Sequence, residues 1–375
     1  MSKLLMITGL GSAVDLASGK KGAFYNTLEE FHKYWERIDI VTPKIKGQTS
    51  GLKEFFGNVY VHISPWPLWL HPIFFLKKSL EIYKKQKFNL MTVHDFPPFY
   101  NGIGARLLWN KIKVPYILEI LHVPGYPRAS GFREIFYKFI FKVFIKLDSS
   151  KAKAVRVMNQ TQVPEFLIKH GVPKDKILCI PAIYVDLDVF KPLNLRKDYD
   201  LIFVGRLESN KGVDLFLETV RRLSCKAIII GTGSLSEQIK SKIKNWNLDI
   251  NFYGWARTQK EIAELLNRSK ILVMPSYNEG GPRVAVEALA CGVPVLATPV
   301  GIVPDLLKNL SAGRQVASGG EIIDWEADDI ARKAEGLLNT PDKYQEYSNS
   351  GPELAGQFEK RIAIKNYAEK LKSLI

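Results

Sequence analysis

The sequence has no run of 18 uncharged apolar residues, so no segment of it is expected to cross a membrane as a helix. Cysteine is scarce: Cys179, Cys225 and Cys291 stand far apart in apolar or small-residue surroundings. That spacing excludes a disulfide framework and a thiolate metal cluster, and reads as free thiols in a reducing compartment. No low-complexity tract or short repeat occurs, and 46% hydrophobic with 24% charged residues excludes a disordered chain. The opening stretch, MSKLLMITG, is too short for a secretory leader and leads into a glycine loop, so it is expected to be a first strand. A cytoplasmic protein is expected, dissolved or peripheral on the inner face of the membrane.

Acidic residues are also scarce, but only in one half. Residues 1–198 hold 30 Lys and Arg against 16 Asp and Glu, while the remainder holds 23 against 22. The first half therefore carries a net +14 of the total +15, which predicts an anionic partner for that half.

A chain of 375 residues is long for one core, and its pattern predicts two domains. In the second half, short apolar runs alternate with longer helical patterns. DLIFVGR (200–206), KAIIIG (226–231), INFYGW (250–255), ILVMP (271–275) and PVLAT (294–298) read as strands. VDLFLETVRRL, LSEQIKSKIKNW, QKEIAELLNRS and residues 282–291 read as the helices between them. Such alternation argues for βαβ units around a parallel sheet. The first half repeats it, with expected strands at 3–9, 38–43, 58–64, 89–94, 116–122, 154–159 and 177–181. The acid- and proline-bearing stretch 186–199 reads as a linker, dividing an N-terminal domain (1–185) from a C-terminal one (200–375). The expected architecture is α/β, two doubly wound Rossmann-like domains facing across a cleft, with the final helical segment able to pack back on the first domain.

Within the second domain, NEGGPRVAVE (278–287) connects two expected strands. Pro282 suits a first helical turn, and Gly292 with Pro294 ends the helix. Free amides at that helix start suit a phosphate. Glu287 sits in a helix apolar on nearly every side. It pairs either with Arg283 one turn earlier or, as a buried carboxylate in need of donors, with the hydroxyl groups of a sugar. VGRLESNKG (204–212) ends a strand with Arg206 and follows with Lys211, a fork and a point charge able to converge on a diphosphate.

Together these motifs resemble the large retaining GT-B glycosyltransferase family usually numbered family 4 (glycosyl transferases group 1). The matching elements, over residues 153–310, are Gly205-Arg206 with Lys211-Gly212, the turn Gly231-x-Gly233, Pro275-Ser276-x-x-Glu279-Gly280, the Glu279/Glu287 pair and the run from Glu287 to Val295. The resemblance implies a nucleotide-diphospho-sugar donor held mainly by the second domain. Arg206 and Lys211 would hold the diphosphate, Glu279 the donor sugar and Glu287 the ribose. Pro282 stands where the family often has glycine, which leaves the amides of Gly281, Arg283 and Val284 for the phosphate. In the first domain the resemblance places Gly22 and Ala23 on the acceptor side, with His94 a further candidate there, and puts His122 near the reaction centre. It implies no cofactor, the nucleotide-sugar being a co-substrate. Asp186-Leu-Asp188 looks like the D-x-D metal motif of another glycosyltransferase fold, yet it falls in the linker, where aspartate caps turns; no metal is expected.

The basic half suggests where the acceptor lies. In FREIFYKFIFKVFIKL (132–147), Glu134, Lys138, Lys142 and Lys146 recur every four residues, either as the wet edge of a core helix or as the charged side of an interfacial one. SPWPLWLHPIFFLKK (64–78) sets Trp66 and Trp69 before Lys77 and Lys78, a composition suited to an anionic membrane surface. A glycan or lipid-linked acceptor at that surface is expected. A nucleic-acid-binding protein would share the charge, but no nucleic-acid motif is present. A non-catalytic nucleotide-sugar binder would share Arg206 and Lys211.

Overall fold

The computed structural model describes residues 2–9, 16, 22–47, 50–95, 97, 99–307 and 318–375. Most of the glycine-rich segment after the first strand lies outside them, as does the side chain of Ala23.

The first sheet contains β1 (Lys3–Ile7), β2 (Arg37–Thr42), β3 (Gly51–Phe55), β4 (Val59–Ile63), β5 (Leu90–His94), β6 (Tyr116–Ile120), β7 (Ala154–Val157) and β8 (Ile177–Cys179). Its order is β3-β4-β2-β1-β5-β6-β7-β8, with every pair parallel except β3–β4. The second sheet, of β9 (Tyr199–Val204), β10 (Ala227–Ile230), β11 (Ile250–Gly254), β12 (Ser269–Met274), β13 (Val295–Ala297) and β14 (Gly320–Ile322), is wholly parallel in the order β11-β10-β9-β12-β13-β14. Each sheet reverses its strand order once, between β1 and β5 and between β9 and β12, and ligands of doubly wound folds bind outside the carboxyl ends of strands at such reversals. Both strands absent from the sequence expectation are short edge elements. GLKEF carries two charges and no apolar run, and GEI has three residues.

Helices cover both faces. In the first domain these are α1 (Ala23–Phe31), α2 (His71–Gln86), α3 (Tyr100–Ile112), α4 (Phe132–Ser149) and α5 (Gln162–Lys169). The second adds α6 (Val213–Leu223), α7 (Ser236–Asn245), α8 (Gln259–Asn267), α9 (Arg283–Ala290), α10 (Val303–Leu307), α11 (Ala327–Leu338) and α12 (Pro341–Gly356). α6 shows the logic: Val213, Phe216, Leu217 and Val220 recur at helical spacing and are all buried, each such burial contributing about 1.5–3 kcal/mol.

The chain crosses between domains twice, and the two crossings pair. The Val185 amide donates to the Phe358 carbonyl at 2.8 Å, and the Lys360 amide donates to the Val185 carbonyl at 3.0 Å. Beyond this bridge α13 (Lys360–Lys372) packs on the first domain, burying Ile364, Tyr367, Ala368 and Leu371 among Leu4, Leu28 and Phe31. Asp186 serves a turn at the first crossing. Its carbonyl accepts from the Phe190 amide at 2.8 Å and its carboxylate from the Asp188 amide at 3.1 Å.

Candidate active site

The loops after β9, β10 and β12 meet at the carboxyl edge of the second sheet. Gly231 has φ of 144°, and a Cβ there would lie 1.8 Å from the Gly205 carbonyl oxygen; a Cβ on Gly233 would lie 2.4 Å from that of Leu207. These glycines let the β9 and β10 loops touch, which is the role the geometry gives them. Gly212, with φ of 66°, starts α6 where a Cβ would lie 2.0 Å from the Pro275 carbonyl oxygen. The Tyr277 amide donates to the Asn210 carbonyl at 2.8 Å, so the loops bearing Lys211 and Glu279 are held together by their backbones.

Lys211 pairs with Glu279 across that junction, each about five-sixths buried, with side-chain exposures of 18% and 15%. The Ser276 hydroxyl donates to the same Glu279 oxygen at 3.1 Å. Trp325 Nε1 and the Thr298 hydroxyl both donate to the Ser276 carbonyl, at 2.8 and 2.6 Å, fixing the root of the loop. Arg206 stands exposed at the end of β9.

The two glycines of NEGGPRVAVE face the other domain. A Cβ on Gly280 would lie 2.3 Å from the Leu121 carbonyl oxygen, and one on Gly281 would lie 2.5 Å from Ile183 Cδ1. The Asn278 side chain reaches across as well, donating to Glu134 at 2.9 Å and to the Arg128 carbonyl at 3.2 Å. Neither Asn278 nor Glu134 was legible as a site residue, because the contact joins positions 144 residues apart. Since backbone cannot yield as a side chain can, Gly280→Ala is expected to hold the domains apart. A displacement near 1 Å at a reacting centre costs about 10²-fold in rate. Turnover should fall by that order while the melting temperature changes little, because the clash lies between domains.

Pro282 is the N-cap of α9 and precedes its first turn, a correction of one position. The proposed Arg283–Glu287 pair does not form. Arg283 instead lies over the Tyr184 ring at 4.4 Å, a cation–π contact. Arg283 and Val284 open the helix, where amides lack intrahelical partners, whereas the Ala285 amide bonds the Pro282 carbonyl at 3.2 Å. Glu287 is half-buried, and burial pushes its pKa from 4.5 up to about 7, with Arg283 opposing. Folding thus favours the protonated form. This group's contribution to stability falls as pH rises from the unfolded pKa of 4.5 through the folded one of about 7.

The facing wall belongs to the first domain. His122, open to solvent just beyond β6, lies within electrostatic reach of Glu279, Glu134 and Lys211. Although part of the ring meets solvent, desolvation by the protein around it lowers its pKa, and the two carboxylates oppose that shift. His94, at the end of β5, lines a cavity of about 190 Å³ whose walls include Phe24, Thr27 and Leu28 of α1. Burial lowers its pKa to about 4, with nearby Glu119 opposing. Gly22 is the N-cap of α1, its carbonyl accepting from the Asn26 amide at 3.0 Å; Ala23 is the first residue of that helix.

A buried charge cluster under this cavity went unread in the sequence. Arg156 on β7 donates to Glu119 on β6 and, at 2.9 Å, to the Ile180 carbonyl. The Tyr367 hydroxyl of α13 donates to the same Glu119 oxygen at 2.7 Å, and the Arg156 guanidinium lies 3.8 Å over the Tyr367 ring. The one available signal was a charge inside each of two apolar strands, YILEI and AVRV.

The surface residues divide. Trp69 is 69% exposed, whereas Trp66 is partly buried edge-on against Phe74. Lys77 is exposed, and Lys78 pairs with Glu81 at 2.6 Å. On α4, Lys142 and Lys146 are exposed, while Lys138 turns inward to the Gly125 carbonyl at 2.8 Å. Among the described residues no helix is long and apolar enough to cross a membrane.

Comparison with known proteins agrees with this geometry. Residues 186–354 match the family model of glycosyl transferases group 1. The chain is 27% identical over 311 residues to an uncharacterized glycosyltransferase of Methanocaldococcus jannaschii, covering 81% of this chain and 82% of that one. It is 27% identical over 246 residues to the N,N'-diacetylbacillosaminyl-diphospho-undecaprenol alpha-1,3-N-acetylgalactosaminyltransferase of Campylobacter jejuni, covering 61% and 64% respectively. The Anabaena protein HepE, crystallised with UDP and glucose, superposes over the full length of both chains with a TM-score of 0.72 at 17% identity. The fold is GT-B, two doubly wound α/β domains facing across a cleft.

Proposed function

We propose that the protein is a retaining, metal-independent glycosyltransferase of family 4. It moves a hexosyl group from a nucleotide-diphospho-sugar to a glycan or lipid-linked acceptor in cell-surface polysaccharide or glycolipid synthesis. The observation that carries this reading is the meeting of Lys211 and Glu279 at the strand reversal of one domain, within electrostatic reach of His122 of the other. The family match across 186–354, and relatives whose names specify glycosyl transfer to lipid-linked substrates, support it.

On this reading the diphosphate enters between Arg206, Lys211 and the start of α9, drawing Lys211 from Glu279 and freeing the carboxylate for the sugar's hydroxyl groups. The bond between the anomeric carbon and the leaving phosphate oxygen breaks on the face where the acceptor oxygen attaches. The acceptor's proton passes to the departing phosphate, whose growing charge Lys211 and Arg206 stabilise. No covalent sugar–enzyme bond is needed, so Glu279 is a donor-binding group and not a nucleophile. Gly22, Ala23, His94 and the cavity beside them would face the acceptor.

Proton NMR of the product formed in excess chelator tests the proposal. The anomeric configuration should match the donor's; an inverted product, or transfer abolished by chelation, would overturn it. The Glu287 assignment has its own test. Ribose hydroxyls favour the ionised carboxylate, so nucleotide affinity should fall as pH drops below about 7, and Glu287→Gln should bind more weakly without that dependence. A variant titrating like the parent would remove Glu287 from the donor site.

A further inference from the structure

The outward face of α4 is apolar. Phe132, Phe136, Phe139, Val143 and Leu147 follow at spacings of four, three, four and four, which stacks them into one ridge along the helix. They are 89%, 59%, 65%, 59% and 40% exposed, while the opposite side buries Phe141 and Ile145. Single exposed apolar residues are ordinary; five in one continuous line on one helix are not.

One flank of this ridge is basic. Between α4 and α5 lies an open pocket of about 440 Å³ lined by Lys138, Lys142, Lys169 and His170, with Glu165 the one carboxylate among its lining residues. Lys138 commits one ammonium proton to the Gly125 carbonyl and keeps two. His170 Nδ1 lies 2.6 Å from the Phe166 carbonyl oxygen, which makes Nδ1 the donor in that bond. Three ammonium groups against one carboxylate suit a phosphate.

We propose that this face docks on an anionic bilayer, the α4 ridge entering the headgroup layer while the cavity between α4 and α5 takes a lipid headgroup phosphate. The inference rests on the reading of a membrane-proximal acceptor and names the surface that would bring the enzyme to it. Charge complementarity selects the occupant. The half of the chain bearing this face carries +14, and Arg133, Lys142 and Lys146 border the ridge. A second copy of the chain, paired ridge to ridge about a two-fold axis, would set like charges against one another.

Flotation of the full chain with phosphatidylcholine vesicles, with and without phosphatidylglycerol, tests it. The protein should float with the anionic vesicles alone. Phe136→Ser/Phe139→Ser and Lys142→Glu/Lys169→Glu should each weaken binding by about tenfold or more. Both double variants should keep the parent's melting temperature and its stabilisation by nucleotide. Inorganic phosphate should leave flotation unchanged at constant ionic strength. Equal recovery on neutral and anionic vesicles, variants that float like the parent, or ridge-dependent dimers in light scattering would each overturn the docking. Nucleotide stabilisation separates the two failures: lost flotation with stabilisation intact sinks the docking site alone, whereas absent stabilisation sinks the transferase reading.

Discussion

Lys211→Ala is expected to lower kcat/KM by about 10²–10³, the usual cost of removing one group that stabilises charge developing in a transition state. The side chain is placed for this by Gly212, whose backbone geometry lets the loop turn beneath Pro275, and by its pairing with Glu279. A buried ion pair contributes little net stability when both partners are weighed, but losing one partner strands the other. Lys211→Ala should therefore also destabilise modestly, and Lys211→Ala/Glu279→Gln should recover the stability without recovering the rate. Because Glu279 itself binds the donor, the role of Lys211 is read from the rate of Lys211→Ala and the pairing from the stability of the double variant. Lys211→Arg should rescue poorly, since a planar fork does not occupy the place of a compact ammonium. Steady-state kinetics with the cognate donor read all three. A single variant within about threefold of the parent would remove Lys211 from the chemistry, because uniform surface effects are of that size.

The second large effect is on the fold. Arg156→Met should cost about 3–5 kcal/mol, the range for breaking a buried ion pair by removing one partner. Arg156 is 3% exposed, and its removal leaves Glu119 bonded to the Tyr367 hydroxyl without its guanidinium partner. Because Tyr367 belongs to α13, the loss should loosen the C-terminal helix from the first domain. Urea unfolding should show the first domain's transition at lower denaturant. Glu119→Leu/Arg156→Met should return most of the stability, since an apolar pair of similar volume avoids burying charge. A double variant as unstable as the single one would mean that the cluster does more than satisfy itself.

The two sheets were legible because buried parallel strands are short apolar runs and the helices between them carry a 3.6-residue period. The edge strand GLKEF offers neither signal and exists through its hairpin with β4, where Phe56 and Gly57 adopt positive φ of 53° and 74°. The donor-side residues were legible as motifs and not as contacts. Arg283 and Glu287 fit a helical pair, yet Tyr184, 99 residues away, takes the arginine. The motif assigns the Gly281 amide to the phosphate, yet the side-chain space of Gly280 and Gly281 is bounded by Leu121 and Ile183, which no spacing within the loop could reveal. α4 is the sharpest case. A helix apolar on nearly all sides has no unique buried face in its sequence, and the lysines that read as its wet edge flank the apolar residues that point outward.

The β9 and β12 loops are expected to hold a nucleoside diphosphate. Thermal unfolding of the parent and of Lys211→Ala in millimolar UDP, GDP or ADP tests it most directly. Ligand at about a hundredfold over its Kd adds about 2.7 kcal/mol, so one of the three should raise the parent's melting temperature by several degrees and raise the variant's far less. If none of the three stabilises the parent, or if the variant is stabilised equally, these loops are not a nucleoside diphosphate site.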